Sequence, residues 1–139
     1  QQTTQEKQAN TSSTSQTLFN LKLLAYERII LFIERIKPDS FIPRTLSPSL
    51  PYQEYQLLLI NEIRKEFEYN LSQQLYLSEN AWEVTVNFKD NIITLINSAA
   101  TSCPPQATAS DLARKILEHY ISSDLKGDQI LKIVKAEIQ

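Results

Sequence analysis

A single glycine, Gly127, in 139 residues is the feature that most restricts what this chain can fold into. Glycine reaches positive φ without steric cost, and tight hairpins and β-bulges are built on it. A chain with one glycine is poorly equipped to make sheets. Helices lose least from that shortage, so the expected fold class is all-α. The length suits one domain with its own core and is short for two. A hydrophobic fraction of 42% and a charged fraction of 22% are those of a globular protein, neither a disordered chain nor a membrane bundle.

Apolar spacing then divides the chain. Residues 1–17, QQTTQEKQANTSSTSQT, hold no large apolar side chain. Such a stretch cannot bury enough surface to offset its ordering entropy, and it reads as a flexible, low-complexity polar tether. As a coil it would reach about 20 to 25 Å. Residues 18–139 read as a single helical domain, a bundle of three long helices plus two shorter C-terminal helices.

The first long helix runs from Leu18 to Ile36, with Phe19, Leu23, Tyr26, Ile30 and Ile33 on one stripe and Ala25, Ile29, Phe32 and Ile36 beside it. Asn20, Glu27 and Glu34 lie opposite at intervals of seven, with Arg28 and Arg35 alongside. Five charges within the segment exclude a transmembrane span. Four prolines between residues 38 and 51 predict a stiff connector without regular structure, whose Phe41, Ile42, Leu46 and Leu50 pack back on the bundle.

The second long helix is expected over Tyr52–Leu75, facing inward with Leu57, Ile60, Ile63, Phe67, Leu71 and Leu75. Ser78 caps the third, and Leu77 and Trp82 have hydrophobic-staple spacing. Its apolar row is Trp82, Val86, Lys89, Ile93 and Ala100, with Ile92, Ile96 and Ala99 adjacent. Its polar row is Glu83, Asn87, Asp90, Asn91, Thr94 and Asn97. After Cys103, Pro104 and Pro105, Ser110 and Asp111 start a fourth helix. Gly127 and Asp128 separate a fifth. Asp111 with Lys115, and Asp128 with Lys132, stand acid before base at i,i+4.

Few chemistries survive this inventory. Phosphate loops need several glycines. A di-metal bundle needs Glu-x-x-His pairs, whereas the one histidine, His119, directly follows Glu118. One cysteine and one histidine cannot supply a usual zinc ligand set. Cys103 has no basic neighbour to activate it and no second cysteine for an intramolecular disulfide. The expectation is therefore no catalytic residue, no metal and no cofactor. A formal charge of −2 without a basic block argues against a nucleic-acid partner.

One polar cluster stands out: Glu27, Arg28, Glu34 and Arg35 on the first helix, with Glu66, Asn70 and Gln73 on the second. Arg28 and Arg35 are two turns apart and can meet Glu62 or Glu66 across an interhelical seam. Such charges either set the register of two helices or form a polar recognition face.

The strings LKLLAYERIILFIERIKP (21–38), IRKEFEYNLSQQLYLS (63–78), AWE (81–83) and INSAA (96–100) resemble a family of small Bacteroidetes proteins known as a domain of unknown function, DUF7935. The resemblance covers residues 18–102 and weakens beyond. It implies one hydrophobic span, then a polar stretch, then this helical region, and brings no activity, ligand or catalytic residue. No methionine occurs, even at position 1, so a removed segment is expected before Gln1. The resemblance makes that segment a membrane anchor. The expected function is a non-catalytic interaction or scaffolding module, the soluble part of an inner-membrane-anchored protein, on the cytoplasmic or else the periplasmic side. Its partner is a protein or a second copy of itself. The alternative is a helical domain holding an apolar ligand or lipid on the outer side of the membrane.

Overall fold

A computed structural model describes residues 4–138, with side chains from residue 11 onward. The elements are α1 (Thr4–Ile36), α2 (Pro38–Thr45), α3 (Tyr52–Tyr69), a 3-10 segment (Leu71–Tyr76), α4 (Glu79–Thr101), α5 (Ala109–Ser122) and α6 (Gly127–Ala136). Among the described residues there is no strand, only an isolated bridge between Pro51 and Thr108. The fold is all-α, as expected, but α2 and the 3-10 segment add to the five helices read from the sequence.

Helix α4 is the post on which α1, α3, α5 and α6 all rest. It buries Ala81, Thr85, Phe88, Ile92, Ile96, Ala99 and Ala100, a row stepping by three and four residues. This corrects the expected row: Trp82, Lys89 and Ile93 lie at its edge, only partly buried. Small Ala81 and Thr85 let neighbouring helices come close, which hydrophobicity alone does not rank highly. Buried Thr85 donates its hydroxyl to the Ala81 carbonyl at 2.7 Å, so no polar group is stranded there. The polar row from Glu83 to Asn97 faces solvent as expected. At the N-terminus Ser78 Oγ accepts from the Ala81 amide at 3.0 Å, while at the other end Lys115 donates to the Ser102 carbonyl.

Helix α1 buries Ala25, Tyr26, Ile29, Phe32, Ile33 and Ile36, but Phe19 is 53% exposed and lies outside the core. The helix also extends back to Thr4, so the polar tract is helical from there, where a coil was expected. No Gly or Pro interrupts residues 4–36, and adding a residue to an existing helix needs no new nucleus. Residues 11–22 are all exposed, Leu18, Phe19 and Leu21 included, because this part of the helix runs beyond the bundle core; residues 1–3 of the tract lie outside the described residues.

The proline-rich connector is not irregular throughout. Pro38 takes a first-turn position of α2, where its missing N–H is harmless, and Phe41 and Ile42 are buried. Tertiary packing on α1 and α5 outweighs the internal Pro43. Beyond α2, Leu50 and Tyr52 exchange backbone hydrogen bonds with Ala109 and Ala107, pinning the connector to the α4–α5 loop.

The second long helix stops at Tyr69, six residues early, and tightens into the 3-10 segment. Three residues per turn replace 3.6 there, so the inward phase is lost and Leu71 and Leu75 turn outward. Leu57 also points out, because the inward row is Tyr55, Leu59, Ile60 and Ile63. Helix α5 starts at Ala109, one residue before Ser110: Thr108 and Asp111 form a capping box, and Thr108 N–H donates to Asp111 Oδ2 at 2.9 Å. Asp111 then pairs with Arg114, and Asp128 with Lys37, in place of the expected i,i+4 lysines.

Gly127 opens α6, and its φ is not positive. Its role is close approach. A Cβ there would collide with Lys37 Cδ, lie 2.5 Å from Cγ and sit 3.1 Å from the Tyr120 hydroxyl. That hydroxyl accepts the Gly127 N–H at 2.8 Å, and Lys37 Nζ is held by Asp128 Oδ1 at 2.9 Å, so the stem has little freedom to move.

Two expectations follow from this packing. Ile92→Ala, in the centre of α4, should lower unfolding free energy by about 2–5 kcal/mol, whereas Leu57→Ala should change it by about 0.5 kcal/mol or less, both read by urea denaturation. Gly127→Ala should cost about 1–3 kcal/mol, and combining it with Lys37→Ala should cost less than the sum of the two. Additivity in that double-mutant cycle would contradict the steric explanation.

Candidate functional site

Leu31 breaks the polar side of α1, and Tyr69 ends α3 on its wet side. They are 58% and 76% exposed, respectively, and stand on opposite banks of one groove. The groove has a volume of about 690 Å³ and is open along its length. Arg28, Leu31, Phe32 and Arg35 come from α1; Glu62, Lys65, Glu66, Glu68 and Tyr69 come from α3, with Asn70 at its end.

Beneath it, three helices meet through aromatic rings. Phe67 of α3 lies 5.9 Å from Phe32 of α1 and stacks on Trp82 of α4 at 5.4 Å. Lys89 of α4 places its ammonium 4.1 Å from the Phe67 ring centre.

A charged clamp closes one end. Arg35 donates to Glu66 Oε1 through Nε at 3.0 Å and Nη2 at 2.6 Å, and Arg44 Nη1 stands 3.7 Å from the same oxygen. Arg44 also donates to the Arg35 carbonyl at 2.9 Å and lies over the Phe41 ring. The bond from Glu66 holds the Arg35 guanidinium even further above neutrality than usual. Glu66 Oε2 is buried and has no hydrogen-bond partner among the described residues. Asn70 turns its side-chain amide back to the Glu66 carbonyl at 2.8 Å and closes the end of α3.

The structure thus brings Arg28, Arg35, Glu66 and Asn70 together, along with Glu62, and confirms the expected contact across the α1–α3 seam as Arg35 with Glu66. Glu27, Glu34 and Gln73 lie outside the groove. Glu34 faces the other way, 3.3 Å from Lys37, beside Asp128, Lys132 and Lys135. Arg44 was missed because it stands in the connector read as irregular. Leu31 and Tyr69 carried a signal that was passed over: apolar side chains on the wet side of their helices.

The arrangement offers shape and charge to a partner. Its best-formed ion pairs are spent on fixing helices together. Among the described residues no three His, Cys, Asp or Glu side chains converge as a metal site would require. Cys103 is buried, with its Sγ 3.8 Å from the Ala99 carbonyl, and His119 is partly exposed on α5. Among the described residues no helix is long and apolar enough to cross a membrane.

The family model described as "Family of unknown function (DUF7935)" matches residues 1–139, well beyond the span over which the quoted strings suggest it. No curated protein and no solved structure matches the chain.

The ionisable groups set the pH limits of this scaffold. Asp128 holds the Lys37 ammonium above the usual lysine range, and burial raises the Tyr55 and Tyr120 phenols. All three shifts are upward, so their stabilising contribution is whole below the ordinary values of 10.0 for tyrosine and 10.5 for lysine and is lost as pH rises past them. Asp111 is shifted the other way, chiefly by the Thr108 amide, so its contribution is present above 3.8 and lost as pH falls below it. Urea midpoints should form a plateau from about pH 5 to about pH 9.5 and fall on both sides. A midpoint that holds up to pH 11 would contradict this reading.

Proposed function

The chain belongs to DUF7935, a family of unknown function, and from that premise we propose that it is a non-catalytic helical module that binds protein partners. The observation that carries the proposal is the α1–α3 groove. Exposed Leu31 and Tyr69 flank it, Arg28, Lys65, Glu62 and Glu68 rim it, and Phe32 lines it. An apolar strip with charges of both signs along its edges suits the side chains of a helix or loop from another protein. The groove is open, a shape for docking a surface. Two of its ionisable groups, Arg35 and Glu66, are engaged in a pair between helices, which supports a scaffold.

The same proposal places the domain on the cytoplasmic side of the inner membrane, held by an anchor. Support for the tether comes from α1, whose exposed residues 11–22, polar apart from Leu18, Phe19 and Leu21, form a helical arm of about 18 Å at 1.5 Å per residue. An arm of that kind can hold a bundle clear of the surface to which it is attached.

Proximity labelling in cells with the full-length natural protein tests the proposal. Tyr69→Glu on one bank and Leu31→Glu on the other change exposed side chains, so circular dichroism and urea midpoints should stay unchanged. Neighbours labelled by the wild type should drop about fivefold or more in each variant, the effect expected when a central contact is removed. A neighbour set indifferent to both substitutions would refute the reading. A lipid-sized adduct retained in native mass spectrometry and lost with Leu31→Glu would replace it with apolar-ligand binding.

A further inference from the structure

We draw no further inference here: the strongest candidate, the apolar cleft that Phe19 and Leu23 of α1 form with Leu75 and Leu77 at the 3-10 segment and Ile138 beyond α6, carries nothing because nothing in the structure shows what covers it.

Discussion

Phe67 is the keystone of the surface described here. Its ring lies between Phe32 of α1 and Trp82 of α4, so three helices share one aromatic junction. Helices α1 and α3 both lean on α4 and touch each other comparatively little. The space left between them is the groove, and the Arg35–Glu66 pair spans it. Two partly exposed guanidinium groups around one carboxylate yield little net stability once screening and desolvation are counted. The value of the cluster is geometric, because a pair that can form in only one register fixes how α3 sits against α1.

The shortage of glycine shapes the rest. Among the described residues none has a positive φ, so no helix ends through the left-handed turn that glycine usually supplies. Each end uses another device. Helix α1 stops before Pro38, α3 tightens into a 3-10 segment after Asn70, and α4 is closed by a lysine from α5. The one glycine serves close packing instead, giving room for the Lys37 stem against the start of α6. A compositional bias visible in the sequence thus dictates how every turn is made.

Much of the fold was legible because amphipathic spacing survives wherever the helix is regular. Ile92, Ile96, Ile60, Ile63, Leu112 and Ile116 are buried where the pattern puts them. Failures occur where the pattern changes period or where size and shape outrank hydrophobicity. Leu71 and Leu75 turn outward because the chain passes into a tighter helix, and Ala81 and Thr85 enter the core because close approach favours small side chains. Helix α2 was hidden by its prolines, since only tertiary contact to Phe41 and Ile42 makes it worth forming. For the candidate site, the Arg35–Glu66 contact was readable as a two-turn spacing on α1. Arg44 was not, because its position depends on a helix the sequence conceals. Glu27 and Glu34 were grouped with the groove by their helix, yet an angular difference of under half a turn carries them to other surroundings.

Helix α1 runs unbroken from Thr4 through the core residue Ile36, which makes its exposed arm and its buried half one rigid body in rotation. Each residue along it advances the azimuth by about 100°. Inserting one residue between the arm and Ala25 would swing everything upstream by that angle relative to the bundle. Inserting seven would nearly return it to its starting direction. The heading of the bundle is therefore encoded in the number of residues, as the setting of a cam is encoded in the angle of its shaft.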